Sequence, residues 1–271
     1  MKSKNIYKIF KIVFSKSKRE IPKDFFNVIK NKKFKIIDTH KNNTMLIFLK
    51  DENIFRKFSV KKSGIEKIRD EALGLSWYQK KLPLKLKFFI KASFDKKYGF
   101  IDTKIIKGDK VKSWKSLSEN YDFVIKGYEH YKKIFKKRKK TKIHGDLTLD
   151  NIFFLKKKVI FFDWEFFGSK PKYYGYDLAY FFLSAITLPA LAGRRITKDD
   201  EACFVKLWKK LLAEKINFKI INYPFNFFMS AIKNDRILRQ NYMISKKKFF
   251  PFITPVKLKN KIEKLIKISI S

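Results

Sequence analysis

Four side chains that can do chemistry fall within one short stretch, IHGDLTLDNIFFLKKKVIFFDWE, at residues 143–165. They are His144, Asp146, Asn151 and Asp163. Two apolar runs, Ile152–Leu155 and Val159–Phe162, flank a lysine turn, and this pattern predicts a β-hairpin. The hairpin brings Asp163, after its second strand, beside Asn151, which precedes its first. We therefore expect these oxygen-bearing side chains to converge with Asp146 on one small volume.

The convergence would suit phosphoryl transfer. Asn151 and Asp163 offer the hard oxygen ligands that Mg²⁺ prefers, and Mg²⁺ is usually held by one or two carboxylates together with substrate phosphates. Asp146 is free to accept a proton from an attacking hydroxyl. A metal that neutralises phosphate charge and a carboxylate that orients the nucleophile are the two parts that this reaction needs.

A lysine and a glutamate farther upstream fit the same chemistry. Lys57 lies on a strand-like run, and Glu71 follows fourteen residues later in a helical pattern. A strand lysine that a helix carboxylate orients is the usual partner of the non-transferred phosphates. Strand alternation puts Lys57 and its neighbour Arg56 on opposite faces without showing which face is inward. We assign the phosphate contact to Lys57, and Arg56 stays open as the alternative.

The elements that must position these residues divide the chain into three parts. Residues 1–33 are predicted to form a basic helical extension with one apolar face. Residues 34–106 carry about five strand-like runs and one helical pattern, so we expect a small β-rich lobe that binds nucleotide. Residues 107–271 are dominated by long helical patterns and hold the catalytic stretch. Thr197 followed by Asp200 predicts a helix N-cap with an acidic first turn.

Composition limits the classes of function. The formal net charge is +40, but only eight of the 65 basic residues are arginine and the lysines are spread along the chain. Proteins that read nucleic-acid grooves depend on the bidentate arginine fork, so we expect no nucleic-acid partner. Dispersed lysine mixed with phenylalanine, isoleucine and asparagine is what AT-rich coding produces. A peripheral contact with an anionic membrane remains open.

Two features bear on localisation. The single cysteine, Cys203, excludes an internal disulfide framework and fits a reducing compartment. The N-terminus lacks the uninterrupted apolar core of a secretory signal, so a cytoplasmic protein is expected. The apolar stretch 173–193 is near membrane-spanning length but contains Asp177 and Pro189, and we expect a buried helix there.

Three motifs carry a family resemblance. Residues 144–151, HGDLTLDN, resemble the HGDxxxxN catalytic loop of the aminoglycoside phosphotransferase and choline kinase superfamily, whose members share a protein-kinase-like fold. Residues 163–165, DWE, resemble the segment that replaces the kinase DFG, and residues 176–179, YDLA, resemble the motif that follows it. The resemblance covers about residues 34–240 and is concentrated in 143–180. It implies an α+β bilobal fold, with ATP between a small β-rich lobe and a larger helical lobe.

The resemblance also implies roles for individual residues. Asp146 would be the catalytic base, and Asn151 and Asp163 would bind Mg²⁺. The nucleotide-binding residues would be Lys57, Glu71 and, through the backbone of the connector, Thr103 and Ile105. His144 and Asp177 are expected to brace the catalytic loop, whereas Asp150 and Glu165 are expected to be structural or solvated carboxylates.

The expected activity is ATP-dependent transfer of the γ-phosphate to a hydroxyl of a small molecule. A protein kinase is disfavoured because residues 40–44, HKNNT, supply no glycine-rich loop over the phosphates. A catalytically silent kinase-fold binding module and a basic nucleic-acid-binding protein are the alternatives. Acidic residues are few in the region that would choose the acceptor, so a neutral or anionic acceptor such as a sugar or glycan intermediate is favoured. Those acidic residues are Asp199, Asp200, Glu201, Glu214 and Asp235.

Overall fold

The computed structural model describes residues 32–39, 44–83, 88–106, 108–111, 113–135, 141–155, 158–167, 173–235 and 254–271. The predicted N-terminal helical extension and most of the hairpin's lysine turn lie outside these residues. The chain separates into two compact units, with boundaries after Arg69, before Phe88 and after Ile105. The sequence predicts that residues 70–87 belong with the sheet. In the structure, the contacts of residues 70–87 group them with the helical unit.

The first unit is built on a five-stranded antiparallel sheet in the order β1-β2-β3-β5-β4. Its strands are β1 (Phe34–Thr39), β2 (Thr44–Leu49), β3 (Ile54–Ser59), β4 (Phe89–Phe94) and β5 (Gly99–Lys104). Alternate side chains on the inner strands point to one face and form an apolar cluster, as the two-residue period of a strand requires. The cluster consists of Met45, Ile47, Leu49, Ile54, Phe58 and Phe100.

Helix α1 (Lys62–Gln79) follows β3 and belongs to both units, since the boundary after Arg69 falls within it. Its first half packs on the sheet, where an added Cβ at Gly99 would lie 3.1 Å from the Ile65 side chain. Its second half packs in the helical unit through Trp77, whose ring lies 5.9 Å from that of Trp164.

The second unit combines helices with a small sheet. Strands β6 (Asp109–Lys110), β7 (Ile152–Leu155) and β8 (Lys158–Phe161) form a three-stranded antiparallel sheet in that order. The predicted hairpin is present as the β7–β8 pair. The helices are α2 (Tyr121–Ile134), α3 (Tyr176–Leu191), α4 (Lys198–Ala213), α5 (Phe218–Asn222), α6 (Pro224–Lys233) and α7 (Val256–Ile270).

Helix α3 is the buried centre of this unit. Nearly all of its residues are inaccessible to solvent, which explains its continuous apolar sequence. The expectation of a buried helix over 173–193 is therefore confirmed. In the part of the chain that the structure describes, no helix is both long and apolar enough to cross a membrane.

The predicted α+β class is confirmed, with a β-rich unit followed by a helical one. The predicted N-cap of α4 is also confirmed: the Thr197 hydroxyl accepts from the Asp200 N–H at 3.2 Å, and the Asp200 carboxylate accepts from the Thr197 N–H at 3.0 Å. This reciprocal pair satisfies two backbone donors that a helix start leaves open.

Candidate active site

The candidate site is a loop at residues 143–148 that enters the β7–β8 hairpin, and its conformation depends on Gly145. The φ angle of Gly145 is 89°, in the left-handed region that favours glycine. A Cβ at this position would lie 2.4 Å from the Cβ of Phe166. The HGD sequence therefore needs glycine at its centre for both conformation and space.

Asp177 fixes this loop from the first turn of α3. Its two carboxylate oxygens accept the N–H groups of His144 at 2.9 Å and Gly145 at 2.8 Å. Asp177 is fully buried, and burial raises the pKa of its carboxyl to about 7, although both N–H bonds favour the charged form. The expectation that Asp177 hydrogen-bonds the catalytic loop is confirmed.

His144 joins the loop to the hairpin. Its Nε2 lies 2.8 Å from the carbonyl oxygen of Phe162, and its ring lies 4.6 Å from that of Trp164. Burial lowers the pKa of His144 to about 4, so the ring is neutral at pH 7 and Nε2–H donates to the carbonyl. His144 thus braces the segment just before Asp163.

Asp146 is held by two neighbouring side chains. The Tyr180 hydroxyl donates to its Oδ1 at 2.9 Å, and Nδ2 of Asn151 donates to its Oδ2 at 3.2 Å and to its backbone carbonyl at 2.7 Å. The side-chain nitrogen of Asn151 is therefore engaged with Asp146. Its Oδ1 is the oxygen left to act as a ligand.

Asp163 follows β8 in an unusual backbone conformation. Its φ angle is 64°, which is uncommon for a residue with a side chain, although Asp and Asn tolerate this region better than most. Residues held this way cluster at functional sites, and each costs on the order of 1–3 kcal/mol. Asp163 directly follows Phe162, whose carbonyl oxygen accepts the hydrogen bond from Nε2–H of His144.

Neighbouring carboxylates also affect the pKa of Asp146. Burial raises the pKa of Asp146 to about 7, and the negative charges of Asp163 and, more weakly, Glu165 add to this effect. The hydrogen bonds from Tyr180 and Asn151 oppose it. Asp146, Asn151 and Asp163 therefore share one small region of negative potential, as the hairpin geometry predicts.

The donor set suits a cation that arrives with phosphate. Among the residues that the structure describes, no three His, Cys, Asp or Glu side chains are grouped to hold a metal by themselves. The available protein ligands are one amide oxygen, from Asn151, and the carboxylate of Asp163. Mg²⁺ binds in this way with one or two carboxylates, waters and substrate phosphates, so the residues fit Mg²⁺ as a nucleotide complex.

Asp150 has a structural partner, as expected. Its Oδ2 accepts the Ser113 hydroxyl at 2.6 Å, which ties the segment before α2 to the short turn Leu149–Asn151.

In the first unit, Arg56 and Lys57 are on opposite faces of β3. The Arg56 guanidinium donates to both carboxylate oxygens of Asp102 at 2.7 Å and lies 4.1 Å from the centre of the Phe100 ring. Both members of the ion pair are buried. Lys57 is half-buried on the other face, which it shares with Gly99 and on which Ile65 of α1 packs. Arg56 is thus bound to Asp102 on one face of the sheet, and Lys57 is on the face that α1 covers.

Glu71 is buried in the part of α1 that belongs to the second unit. It lies two turns before Tyr78, whose hydroxyl accepts the Phe161 N–H at 3.0 Å and lies 2.7 Å from Nε2 of His130. Seven residues of helix span about 10 Å. Glu71 is therefore on the helix that is bonded to the strand leading to Asp163.

Thr103 and Ile105 are at the end of the sheet unit. Thr103 is in β5 opposite Phe55 and Phe89, and Ile105 is the last residue before the second unit begins. Both side chains are half-buried. Thr103 therefore lies in the last strand of the sheet unit, and Ile105 lies in the connector that follows it.

Tyr180 is the site residue that the sequence analysis missed. It lies three residues after Asp177, so the two side chains project from neighbouring positions on α3 toward the same loop. The three-residue helical spacing from Asp177 is the sequence signal that could have indicated Tyr180. It was obscured because every neighbouring residue of α3 is apolar or aromatic and equally consistent with core packing.

Comparison with known proteins gives structural similarity only. No family model matches the sequence, and no curated protein matches it. A structure from Haemophilus somnus 129PT, assigned provisionally as a fructosamine-3-kinase, aligns over 89% of this chain and 92% of its own with 12% identity and a TM-score of 0.40. The choline kinase LicA from Streptococcus pneumoniae aligns over 80% of this chain and 97% of its own with 14% identity and a TM-score of 0.36.

Proposed function

We propose that this protein is an ATP-dependent phosphotransferase that moves the γ-phosphate to a hydroxyl of a small molecule. One observation carries the proposal: the Asp146 carboxylate is held by Tyr180 and Asn151 while the charge of Asp163 acts on it. A base and two metal-type ligands in this arrangement meet the needs of phosphoryl transfer.

Asp146 is the proposed catalytic base. One of its oxygens accepts from Tyr180 and the other from Asn151, which leaves further lone pairs on both for a substrate hydroxyl. A base works best when its pKa is near the working pH, and the pKa of Asp146 is raised to about 7. The side chain is thus oriented and basic enough to take the proton of the acceptor.

ATP and Mg²⁺ are the proposed cofactors. Asn151 and Asp163 would hold the metal, which supplies positive charge to the β- and γ-phosphates when bound. Lys57 would contact the α- and β-phosphates, and Glu71 would orient it. Thr103 and Ile105 would receive adenine through the connector backbone.

The acceptor is proposed to be a neutral or anionic molecule such as a sugar or glycan intermediate. The acidic residues of the acceptor-selecting region are mostly engaged elsewhere in the fold. Asp200 caps α4, Glu201 pairs with Lys261 at 2.6 Å, and Glu214 accepts the Tyr128 hydroxyl at 2.6 Å. A cationic acceptor would need free carboxylates, and this region supplies few.

The test combines an acceptor screen with two matched variants. Purified protein is incubated with Mg-ATP and a panel of sugars, amino alcohols and glycans, and ADP release and product phosphate are measured. For Asp146→Asn we expect turnover to fall about a hundred- to ten-thousandfold with nearly unchanged ATP affinity, because the base acts on the acceptor proton. For Asp163→Asn we expect weaker Mg-ATP binding or lost turnover in a folded protein, because Asn tolerates the left-handed backbone at this position.

The two variants also control for each other. Both remove an ionisable carboxylate from the same cluster, so a general electrostatic effect would alter ATP affinity in both variants. Near-normal turnover of Asp146→Asn would rule out the base mechanism. Unchanged Mg-ATP binding and turnover in Asp163→Asn would remove the metal role.

A further inference from the structure

We propose that the helical unit carries a second site, separate from the catalytic loop, that binds a phosphate-bearing ligand. The site is a groove of about 800 Å³ between the end of α3, the start of α4 and the start of α7. We call it the basic groove. Its lining residues are Ala190, Leu191, Arg194, Arg195, Ile196, Thr197, Lys198, Glu201, Pro255, Lys257, Leu258 and Lys261.

The charge of the lining is strongly one-sided. Five of these twelve residues are cationic and one, Glu201, is anionic. Glu201 is already neutralised by Lys261 at 2.6 Å. Arg194 reaches Glu119 at 3.4 Å, but both side chains are nearly half exposed and such pairs contribute little. Outside the lining, Asp199 is exposed on the first turn of α4, and Asp200 is committed to the helix cap.

The two arginines set this groove apart from the lysine-rich remainder of the surface. Arginine accounts for only eight of the chain's 65 basic residues, yet two adjacent ones line this groove. The guanidinium fork makes paired hydrogen bonds to phosphate oxygens, whereas a lysine acts as a point charge. Dispersed lysine explains a basic surface, but it does not explain an arginine pair in a concave site.

The backbone presents these arginines through a turn that requires glycine. The φ angle of Gly193 is 90°, and the N–H groups of Gly193 and Arg194 bond to the carbonyls of Ala190 and Pro189 at 3.1 and 3.0 Å. This is a Schellman-type helix end, which satisfies the last carbonyls of α3. The chain therefore leaves α3 in a fixed direction and carries Arg194 and Arg195 into the groove wall.

Apart from Thr197, the remaining lining residues are apolar, and this limits the class of ligand that the groove can take. Ala190, Leu191, Ile196, Pro255 and Leu258 form the non-polar part of the groove. An apolar lining with a cationic rim suits a molecule that has both a phosphate group and a non-polar portion. An anionic lipid headgroup and a free phosphorylated small molecule share this chemistry.

The basic groove is distant from the catalytic base. Tyr180 touches Asp146 near the start of α3, and Leu191 lines the groove at its end. Eleven residues of α-helix rise about 16 Å. A ligand in the groove therefore cannot place the same phosphate group near Asp146, and the two sites can be tested independently.

The test uses charge reversal in the groove and a matched reversal elsewhere on the same helix unit. The groove variant is Arg195→Glu with Lys257→Glu, and the control variant is Lys209→Glu with Lys210→Glu, at two exposed positions toward the other end of α4. Both variants change the net charge equally, so non-specific attraction by a chain of net charge +40 falls equally in both. Thermal melting and ATP affinity are measured first to confirm folding and an unaffected nucleotide site.

Two probes distinguish the ligand sources. Inorganic pyrophosphate is titrated calorimetrically, and flotation is measured with phosphatidylcholine vesicles with and without about one-fifth phosphatidylglycerol, at about 0.15 M salt, where long-range attraction is screened. We expect wild type and control to bind at least one probe and the groove variant to bind it about tenfold more weakly. Vesicle binding alone would identify a lipid headgroup, and pyrophosphate binding alone a free phosphorylated ligand.

Three outcomes would overturn the proposal. They are equal losses in both double variants, an unchanged affinity in the groove variant, and no binding of either probe by wild type. If the reversed groove variant melts early, the neutral pair Arg195→Gln with Lys257→Gln is used with Lys209→Gln and Lys210→Gln as its control. None of these outcomes bears on phosphotransfer, which is read separately from turnover of the Asp146 and Asp163 variants.

Discussion

Asp146 is a carboxylate whose surroundings pull its pKa in opposite directions. Burial and the charges of Asp163 and Glu165 favour the protonated form, while the donors of Tyr180 and Asn151 favour the charged form. The result is a pKa near 7 in the free protein. Such opposing effects are typical of groups that exchange protons in a reaction.

This balance predicts a pH dependence. A base acts only when ionised, so below its pKa the active fraction falls about tenfold for each pH unit. We expect kcat/KM for the acceptor to fall on the acidic side of about pH 7 and to level off above it. The profile is measured from pH 5 to 9 at saturating Mg-ATP. A flat profile to pH 5 would contradict the assignment of Asp146 as base.

Tyr180 provides a second test at the residue scale. Its hydroxyl is the donor to Oδ1 of Asp146, and the ring packs edge-on against Phe228. Tyr180→Phe keeps the ring and removes the donor, so the pKa of Asp146 should rise and its carboxylate should lose one orienting bond. We expect the acidic limb of the pH profile to move to higher pH and kcat to fall about ten- to a hundredfold, on the order of one lost charged hydrogen bond.

The control for Tyr180 is a neighbour of similar burial. Phe181→Leu alters packing on the same helix without touching Asp146, and it should change the melting temperature without moving the pH profile. A Tyr180→Phe variant whose limb stays in place would show that this hydroxyl supports only the fold.

At the scale of elements, α3 organises the site. Asp177 in its first turn binds the backbone of the loop at residues 143–148, and Tyr180 one turn later binds the Asp146 carboxylate. The opposite end of the helix forms one wall of the basic groove. Because α3 is buried along its length, both ends are held by one rigid element.

The two faces of strand β3 carry residues with different proposed roles: Arg56 binds Asp102, and Lys57 is proposed to contact the phosphates. The Arg56–Asp102 pair is buried, and removing one partner of such a pair typically costs about 3–5 kcal/mol because the other charge stays buried. We expect Asp102→Ala and Arg56→Ala to lower the free energy of unfolding by this order, measured by urea denaturation. We expect Lys57→Met to abolish most of the turnover in a protein that still folds.

Stability and turnover must be read together for this strand. Turnover per folded molecule should stay near the wild-type value in Arg56→Ala, assayed at a temperature where that variant is folded. The reverse pattern, with a stable but inactive Arg56→Ala and an active Lys57→Met, would transfer the phosphate contact to Arg56.

Much of this arrangement could be predicted from local sequence. The β7–β8 hairpin, the Asp177 contact and the Thr197 cap follow from short patterns with clear physical causes. The packing of helix α7 that completes the basic groove could not be predicted in this way. The Arg194–Arg195 pair lies more than sixty residues before Lys257, and lysine-rich composition hides any local charge signal. Arg56 pairs with Asp102 across 46 residues, which no local pattern reveals.

At the scale of the whole molecule, α1 is the element common to both units. The unit boundary after Arg69 leaves Lys57 with the sheet and Glu71 with the helical unit, although only fourteen residues separate them. Tyr78 ties the end of α1 to β8 through the Phe161 N–H.

The net charge of +40 has a consequence for the whole fold. Like charges repel more strongly in the compact state than in the unfolded chain, so excess charge destabilises the native structure. Salt screens this repulsion, because the Debye length falls from about 30 Å at 0.01 M to about 10 Å at 0.1 M. The buried Arg56–Asp102 pair is shielded from salt, and the exposed pairs contribute little.

We therefore expect the melting temperature at pH 7 to rise by several degrees as sodium chloride increases from about 0.01 to about 0.3 M. The sequence pI of about 10.1 supplies the control, since near that pH the net charge disappears and the same salt series should have little effect. Circular dichroism melts at the two pH values make the comparison. A melting temperature that falls with salt at pH 7 would mean that surface ion pairs outweigh the self-repulsion of the lysines, and the dispersed charge would then be a stabilising network.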